Sequence, residues 1–326
     1  MERFLVAGAS GFVGSEVVRQ LQELGHDVTG LDSCPPDRDL PCVQVDLTDS
    51  AALDRALQGK VFDRILHLAS LPGDTGDPQE MVRVNVNGCL NMLAYAKRTH
   101  VKRFVLTSSI SAYEWYPATT YNPPDYLPVD ENHPVRPKDM YSSTKLMQEI
   151  LTMTFFHQYG VPATVVRLTA VVGPRGRGGG RSYRTMAEQM AEGKKVQIPH
   201  FSPEEMCHYV DVRDVARLHI AVAEHDAAIG QIFLCAGPRP VTGAEFAEIV
   251  QRLVPGIQVE FGYPWSMAQG GQIAFSMKKA KELLGFEPLY TLEDSIRSIT
   301  DWVKAGGPSE EHPAQDGAYG SGVNQE

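Results

Sequence analysis

The chain has 326 residues and a mass of 35.9 kDa, a length typical of two domains or of one large α/β unit. Its 30 basic and 40 acidic side chains give a formal net charge of −10, which argues against nucleic acid and anionic membranes as partners. No apolar run reaches the ~18 residues that span a bilayer, and the amino terminus lacks the features of a signal peptide. The five scattered cysteines are typical of a reducing cytoplasm, and no histidine spacing suggests a metal site. We therefore expect a cytoplasmic protein without a metal.

Short apolar segments alternate with longer amphipathic ones over residues 1–172. This alternation predicts right-handed crossovers and a parallel sheet, with Ser50 as the N-cap of the second helix. The predicted strands are Arg3–Gly8, Asp27–Asp32, Val43–Val45, Arg64–Leu68, Arg103–Ser108 and Ala163–Leu168. The predicted helices are Gly11–Leu24, Ser50–Gln58, Val86–His100 and Met140–Tyr159.

The pattern changes after Val172, where a basic, glycine-rich loop covers Gly173–Arg181. Thr242 and Glu245 form a capping box that predicts the start of a helix. The last 21 residues, 306–326, are poor in apolar side chains and predict a disordered tail. The further predicted helices and strands are Arg181–Glu192, His208–His225 (a strand end running into a helix), Ile232–Leu234, Thr242–Leu253, Met277–Leu284 and Leu292–Val303.

A glycine-rich turn, Gly8-Ala-Ser-Gly11-Phe-Val-Gly14, joins the first predicted strand to the first predicted helix. Glycines at this spacing allow a tight turn, close approach of a pyrophosphate and close packing of the helix on the sheet. Asp32 ends the second strand, where a carboxylate can accept hydrogen bonds from ribose hydroxyls and repel a 2′-phosphate. The pattern predicts a site for NAD rather than NADP. The alternatives are an ordinary strand-turn-helix and, for Asp32, a solvated turn residue.

A second pattern, Tyr141-Ser-Ser-Thr-Lys145, lies at the start of the long helix predicted from Met140. Residues four apart share a helix face, and a lysine ammonium lowers the pKa of a nearby phenol toward the working pH. Such a phenol can act as a general acid or base. Ser108 and Ser109 end a predicted strand, where a hydroxyl can line the ligand crevice. By itself the tyrosine–lysine spacing is also compatible with a plain helix face.

With these motifs, the sequence resembles the NAD-dependent epimerase/dehydratase family of the extended short-chain dehydrogenase/reductase superfamily, over about residues 1–305. Further matching segments are Asp46-Leu47, His67–Ser70, Asn85–Gly88, Thr107–Tyr113, Arg167–Pro174, Tyr209–Asp214 and Lys279–Pro288. The resemblance implies an α/β fold, a doubly wound parallel-sheet Rossmann fold with a smaller mixed C-terminal substrate-binding region. We expect residues 1–172, with 207–235 returning to them, to form the dinucleotide-binding domain. Residues 173–206 and 236–305 would form the substrate-binding region.

The resemblance also implies roles for individual residues. Tyr141 would be the acid/base, Lys145 its electrostatic partner and a ribose ligand, and Ser109 the hydroxyl that contacts the reacting oxygen. Asn85 would support the active-site helix, although an amide capping a buried helix start is equally compatible. The residues expected to hold NAD are Gly8, Ser10, Gly11, Phe12, Val13, Gly14, Asp32, Asp46, Leu47, Leu68, Ala69, Ser70, Asn85, Tyr141, Lys145 and Val172.

Four further residues are candidates for contact with a small-molecule substrate: Ser111, Tyr113, Arg175 and Arg181. The two arginines belong to the basic loop, whose backbone amides could bind an anion; a mobile solvated loop is the alternative. An aromatic stretch within 114–128 is either a substrate-facing lid or a surface loop. The family resemblance also implies a homodimer that packs through the helices Val86–His100 and Met140–Tyr159.

Several positions depart from the pattern of the nucleotide-sugar members of the family. Ala170 occupies the place of a substrate-binding asparagine, Cys207 that of a diphosphate-binding arginine, and residues 265–271 lack a second such arginine. Each missing guanidinium forfeits charge-assisted hydrogen bonds worth ~1.5–3 kcal/mol. The Asp-Glu pair of the sugar 4,6-dehydratases is replaced by Ile110-Ser111.

These departures favour an NAD-dependent oxidoreductase that moves hydride between nicotinamide and a hydroxyl or keto carbon of a small, polar, sugar-like substrate. The first alternative is a sugar or nucleotide-sugar epimerase that retains its NAD, because it would use the same residues. A non-catalytic NAD-binding regulator is the second alternative, although such a protein has no need for a tuned phenol.

Overall fold

The computed structural model describes residues 1–35, 40–73, 76–113, 122–175, 181–262 and 270–307, without the side chains of Arg181 and Ser182. Residues 114–121 of the aromatic stretch, residues 176–180 of the basic loop and the predicted tail from residue 308 onward lie outside this range. So do residues 263–269, which include most of the segment that lacks the second arginine.

The elements follow one another in the alternating order that the sequence predicts. The strands are β1 (Arg3–Ala7), β2 (Asp27–Asp32), β3 (Cys42–Gln44), β4 (Arg64–His67), β5 (Arg103–Ser109), β6 (Ala163–Leu168), β7 (Ala170–Val172), β8 (Val196–Gln197), β9 (Met206–Cys207), β10 (Tyr209–Asp211), β11 (Ile232–Cys235), β12 (Val241–Thr242) and β13 (Val259–Glu260). The helices are α1 (Phe12–Glu23), α2 (Ser50–Ala56), α3 (Pro78–Met81), α4 (Gly88–Thr99), α5 (Met140–Tyr159), α6 (Arg181–Ala191), α7 (Val212–Glu224), α8 (Gly243–Leu253), α9 (Lys278–Leu284) and α10 (Leu292–Lys304).

Seven strands form one sheet in the order β3-β2-β1-β4-β5-β6-β11, and every neighbouring pair is parallel. Strands buried on both faces need apolar side chains on both sides, which is why they stand out as short apolar runs in the sequence. The strand order reverses between β1 and β4, and ligands bind at such a switch point, beyond the carboxyl ends of the strands. The doubly wound Rossmann fold expected from the sequence is confirmed.

Helices cover both faces of this sheet. One core packs α1 and α7 against one face, through residues such as Val17, Leu21 and Val215. The other core packs α2, α4 and α5 against the opposite face, through residues such as Leu53 and Leu93. Because α5 lies over β5 and β6, its first turns stand above the carboxyl ends of these strands.

A third core joins α6, α8 and α10 with three pairs of short strands: β10 with β7, β12 with β9, and β13 with β8. Its residues come mostly from beyond Val172, in keeping with the smaller mixed region expected there. Cys207 and Tyr209 pack in this third core, whereas α7 and β11 return to the large sheet. The return of the chain to the sheet therefore begins a few residues after 207, and the domain limits stay a proposal.

Two helix starts differ from the sequence predictions. The N-cap of α2 is Asp49, whose carboxylate accepts a hydrogen bond from the Ala52 amide, so the prediction of Ser50 is wrong by one residue. The helical segment predicted from Val86 begins earlier, with Asp77 capping α3 and a π-helical stretch over Val82–Asn87 leading into α4. Its two asparagines are poor helix formers, which explains why the pattern did not predict this start.

The five cysteines are all free. In the part of the chain that the structure describes, no helix combines the length and apolar character that crossing a membrane requires. The cytoplasmic location expected from the cysteine usage stays a prediction.

Candidate active site

The glycine turn between β1 and α1 leaves no room for a side chain at Gly8 or Gly14. A Cβ on Gly14 would lie 2.0 Å from the carbonyl oxygen of Gly8, and a Cβ on Gly8 would lie 2.7 Å from the amide nitrogen of Ala69. Gly8 also has a φ of +85°, which favours glycine. The turn is held by hydrogen bonds from the Gly8 amide to the Leu31 carbonyl and from the Gly11 amide to the Gly8 carbonyl. At these two glycines, β1, the turn and α1 therefore pack backbone against backbone, and the turn presents backbone atoms to the crevice.

The N-cap of α1 is Gly11, which has no side chain to satisfy the first amides of the helix, and the first turn carries no acidic residue. Unpaired amides at the positive end of a helix dipole bind anions. The bare turn and this helix end together fit the pyrophosphate of a dinucleotide. Val13 and Phe12 lie in the first turn, and the Phe12 ring comes close to Gly173, directly after Val172.

Asp32 lies at the carboxyl end of β2, beside the glycine turn. Its two carboxylate oxygens accept hydrogen bonds from the amides of Ser10 (3.0 Å) and Cys34 (3.2 Å), and Ser10 Oγ donates to the Cys34 carbonyl. These bonds fix the carboxylate next to the turn, where the adenosine ribose of a dinucleotide would be expected. The structure therefore brings Asp32 and Ser10 together with the glycines, as NAD binding requires.

The other predicted cofactor residues lie along the same sheet edge. Leu68, Ala69 and Ser70 follow β4, and the backbone of Leu68 and Ala69 passes directly beside Gly8. Asp46 and buried Leu47 follow β3, and the Asp46 carboxylate accepts from the Thr48 amide (2.9 Å) and pairs with Arg83 (3.0 Å). The ion pair shows that Asp46 has a structural partner in addition to any contact with adenine.

Asn85 is fully buried and connects two parts of the site. Its Oδ1 accepts from the Leu71 amide (2.7 Å), its Nδ2 donates to Thr144 Oγ1 (3.0 Å), and its carbonyl accepts from Gln148 (2.8 Å). Thr144 and Gln148 belong to α5, so Asn85 ties the strand end after β4 to this helix. The geometry favours support of the active-site helix over the simple helix-capping alternative.

Tyr141 and Lys145 lie on one face of α5, one turn apart. The N-cap of α5 is Asp139, whose carboxylate accepts from the Ser142 amide (2.7 Å) and so fixes the turn that carries Tyr141. Lys145 Nζ lies 5.9 Å from the centre of the Tyr141 ring.

Lys145 is only 4% exposed, and its Nζ donates to the Thr107 carbonyl (3.2 Å). Burial lowers the pKa of its ammonium to about 8, while Cys89 and Glu149 act in the opposite direction. The lysine is thus a buried cation close to a phenol, the arrangement that acid/base catalysis by tyrosine requires.

Ser109 is the last residue of β5, and its Oγ accepts a hydrogen bond from the Ser111 amide (3.1 Å). It stands at the same sheet edge as Tyr141 and Lys145, because α5 packs over β5. Glu149, one turn beyond Lys145 on the same face, forms a buried ion pair with Arg167 (2.8 Å). The sequence analysis did not include this carboxylate in the site, although its spacing of eight residues from Tyr141 places it on that helix face.

The candidate substrate residues have different surroundings. Ser111 is buried beside Ser109. Tyr113 is fully buried, and its hydroxyl donates to the Asp130 carbonyl and accepts from Arg167. The hydroxyl of Tyr113 is therefore engaged inside the protein, and its contact with a substrate stays a prediction. Arg175 adopts a left-handed backbone (φ +66°), and the side chain of Arg181 lies outside the described residues.

No group of three or more His, Cys, Asp or Glu side chains is arranged to hold a metal within the residues that the structure describes. Cys207 is fully buried, and its thiol lies 3.6 Å from a carboxylate oxygen of Glu205, which is also fully buried. A carboxylate therefore stands beside the position where the resemblance would place a diphosphate-binding arginine.

Comparison with known proteins identifies the family. Residues 4–236 match the model of the NAD dependent epimerase/dehydratase family. The chain is 27% identical over 324 residues to a UDP-glucuronate 4-epimerase of Thermodesulfobacterium geofontis, covering 93% of this chain and 97% of that protein. It is 27% identical over 320 residues to a putative UDP-glucose 4-epimerase of Methanocaldococcus jannaschii, covering 92% and 98%.

Solved structures show the same fold. A UDP-glucose 4-epimerase of Thermotoga maritima superposes with a TM-score of 0.81 at 23% identity, covering 93% of this chain and 99% of that one. A UDP-glucose 4-epimerase of Thermus thermophilus, crystallised with NAD, gives 0.77 at 24% identity, covering 93% and 99%. The family match covers well over half of the chain, and the glycine turn, Asp32 and the Tyr141–Lys145 face fit the cofactor of that family. The chain belongs to the NAD-dependent epimerase/dehydratase family and is an NAD-dependent enzyme of the extended short-chain dehydrogenase/reductase type.

Proposed function

We propose that this enzyme oxidises and reduces a hydroxyl-bearing carbon of a small, polar, sugar-like substrate. The observation that carries the proposal is the placement of Ser109, Tyr141 and Lys145 at the carboxyl ends of β5 and β6, on the same sheet edge as the glycine turn that follows β1. A phenol, a buried ammonium and a hydroxyl at this edge form an acid/base set directed at the crevice.

Each of the three residues has a distinct task in this proposal. Tyr141 takes the proton from the substrate hydroxyl or returns it, and Lys145 stabilises the phenolate that forms. Ser109 donates a hydrogen bond to the reacting oxygen and so orients the substrate. Bound NAD supplies the acceptor and donor of hydride at the same carbon. The buried position of Lys145 excludes water from the proton path and strengthens its attraction to the phenolate.

The substrate that we propose lacks a tightly held diphosphate. Ala170 and Cys207 offer neither an amide nor a guanidinium at the positions that bind nucleotide sugars in related enzymes, and the buried Glu205 carboxylate beside Cys207 would repel a diphosphate. A free sugar, sugar acid or cyclitol needs hydroxyl recognition instead. Hydroxyls such as those of Ser109 and Ser111 can provide it.

A second candidate is an epimerase that keeps its NAD and returns hydride to the opposite face of the same carbon. The relatives described above favour it, because several of them are named as 4-epimerases. The proton transfers would use the same residues. The two candidates therefore differ in whether reduced cofactor leaves the enzyme.

A substrate screen tests both candidates. The purified protein is incubated with NAD and a panel of sugars, sugar acids, cyclitols and UDP-sugars, while NADH absorbance and product stereochemistry are followed. Accumulation of NADH with a free sugar or cyclitol supports the dehydrogenase. Inversion without NADH, with cofactor that stays bound through gel filtration, supports the epimerase. Efficient turnover of a UDP-sugar, with a KM far below that of the free sugar, would contradict the proposed substrate class.

Asp32 should set the choice between the two dinucleotides. We expect NAD to bind at least tenfold more tightly than NADP, a difference of about 1.4 kcal/mol, because the Asp32 carboxylate would face a 2′-phosphate. Asp32→Ala should bring the two affinities together in calorimetric titrations. Asp46→Ala is the control, since it should weaken both dinucleotides without changing their ratio. Equal affinities of the unmodified protein would refute the assignment.

The helices α4 and α5 should also form a homodimer interface. They expose the apolar side chains Leu90, Met147, Ile150 and Tyr159, of which Ile150 is 57% exposed. A second copy of this surface would bury them, and a two-fold contact of two helices from each subunit forms a four-helix arrangement. We expect a dimer mass in light scattering at micromolar concentration and a monomer for Ile150→Asp. Leu283→Asp, at an exposed leucine of α9, should remain dimeric; a wild-type monomer would count against the interface.

A further inference from the structure

A buried ion pair lies beneath the acid/base residues. Glu149, on α5, and Arg167, on β6, are each only 3% exposed. The guanidinium holds the carboxylate with two hydrogen bonds, Nε to Oε1 (3.0 Å) and Nη2 to Oε2 (2.8 Å). Ser108 Oγ adds a third bond to Oε1 (2.5 Å). The carboxylate is therefore fixed in one orientation by two strands of the sheet.

Arg167 extends this hydrogen-bond network to the residues that follow the aromatic stretch. Arg167 Nη1 donates to Tyr113 Oη (3.1 Å) and to the Glu131 carbonyl (3.3 Å), and the Tyr113 hydroxyl donates to the Asp130 carbonyl (3.1 Å). The pair thus links α5, the ends of β5 and β6, and residues 130–131. Ser108 immediately precedes Ser109, so the network also fixes the strand end that carries this hydroxyl.

Stability alone does not explain such a pair. Removing two charges from water costs free energy that their attraction often fails to recover, and apolar replacements are frequently neutral or stabilising. The bidentate pair lies one helical turn from Lys145, so its carboxylate is placed to act on that ammonium.

The surroundings of Lys145 leave Glu149 as its anionic neighbour. The titratable groups facing the lysine are Tyr141 and Glu149 from α5, His67 from β4 and Cys89 from α4. Burial lowers the pKa of His67 to about 3 and raises that of Cys89 to about 12, so both are neutral near pH 7.

His219, from α7, contacts the hydroxyl of Thr107, whose carbonyl accepts from Lys145. Burial lowers the pKa of His219 to about 4, which makes this imidazole neutral as well. Among the described groups that face Lys145, the Glu149 carboxylate is the one with a negative charge at neutral pH. Arg167 fixes the direction of that charge.

We propose that Glu149, held by Arg167 and Ser108, is a positioning residue that places a fixed negative charge one helical turn from Lys145 and so supports the binding of the cofactor ribose by that ammonium. This inference rests on the role proposed above for Lys145 in holding the cofactor. The carboxylate acts through Lys145 and has no contact with substrate in this proposal. In this proposal, the affinity for the cofactor depends on the Glu149–Arg167 ion pair as well as on Lys145.

The test is the pH dependence of NAD affinity, measured by calorimetry on the intact protein without any substrate. In the wild type, affinity should be constant at low pH and decline as Lys145 loses its proton, around its pKa of about 8. The carboxylate raises the pKa of the lysine, so its removal in Glu149→Gln should move the decline to lower pH, by about one pH unit. Lys145→Met should bind NAD weakly, without that decline.

Glu149→Gln leaves the buried Arg167 without its partner, which destabilises the fold. Two further variants therefore keep the test decisive if Glu149→Gln does not fold. The double variant Glu149→Leu, Arg167→Met replaces the pair by apolar side chains and should also shift the decline to lower pH. Asp214→Asn removes another fully buried carboxylate, which pairs with the partly exposed Arg217 on α7, and should change thermal stability without moving the decline.

The outcomes separate this inference from the proposed function. If Lys145→Met keeps wild-type affinity and the same decline, the role of Lys145 itself is wrong. If Lys145→Met loses the decline but the folded Glu149 variants keep the wild-type midpoint, the pair is purely structural and the inference fails alone. A shift in the Glu149 variants, absent in Asp214→Asn, supports it.

Discussion

Tyr141→Phe should lower turnover by ~10²–10⁴, the usual effect of removing a positioned general acid or base. The substitution deletes one oxygen and keeps the ring, so the start of α5, held by the Asp139 cap, should retain its fold. NAD affinity should stay close to that of the wild type. The measurement is kcat and KM with the substrate found in the screen, alongside thermal stability and calorimetric NAD affinity.

Two further variants separate the contribution of Tyr141 to turnover from those of Lys145 and Ser109. Lys145→Met should be similarly damaging and should weaken NAD binding as well, because it removes the buried ammonium. Ser109→Ala should cost less, because it removes an orienting hydrogen bond and leaves the proton donor in place. Near-wild-type turnover of a folded Tyr141→Phe protein would show that the tyrosine–lysine spacing is only a helix face.

Gly14→Ala should disrupt the turn that joins β1 to α1. The new Cβ would lie 2.0 Å from the Gly8 carbonyl oxygen, a backbone atom that cannot move without displacing the turn. Overpacking of this kind costs typically 1–3 kcal/mol, so the apoprotein should melt several degrees lower. NAD affinity should fall as well, since the displaced turn forms the expected pyrophosphate site.

Gly11→Ala is the matched control in the same turn. Gly11 has an ordinary φ of −75°, and its Cβ would meet only the Gly8 carbonyl, at 3.1 Å. Apoprotein stability should fall less than in Gly14→Ala, because this contact is far less severe, whereas NAD affinity should drop because a methyl group is added at the N-cap that a pyrophosphate must approach. Unchanged melting of Gly14→Ala would mean that the turn adapts more easily than its geometry implies.

Much of this fold was predictable because parallel strands buried on both faces appear as short apolar runs between amphipathic helices. The capping box of Thr242 and Glu245 is confirmed for the same local reason: both partners lie within one turn. Strand pairs of two residues, such as Val196–Gln197 with Val259–Glu260, were not predictable. A pairing so short and so distant along the chain leaves no periodic signal.

In the site, too, local patterns were predictable and long-range contacts were not. The glycine turn, Asp32 and the Tyr141–Lys145 spacing are local patterns, and the structure places them at one sheet edge. The bond from Ser108 to Glu149 spans 41 positions and depends on how α5 lies over the sheet. The burial of Tyr113 likewise follows from Arg167 and residues 130–131, which no local pattern connects to it. Long-range polar partners are the part of the site that required the structure.

The absence of a capping side chain at Gly11 has an energetic consequence for the protein without cofactor. Most other helices here satisfy their first amides with an acid or a threonine, as Asp139 does for α5 and Thr242 for α8. In α1 we expect a bound dinucleotide to take over this task and to complete the first turn of the helix as a capping residue would. Folding and cofactor loading are therefore linked, and the free energy of unfolding rises by about 2.7 kcal/mol when free NAD reaches a hundred times its Kd. A cell short of NAD would thus hold a less stable, more degradable form of this enzyme.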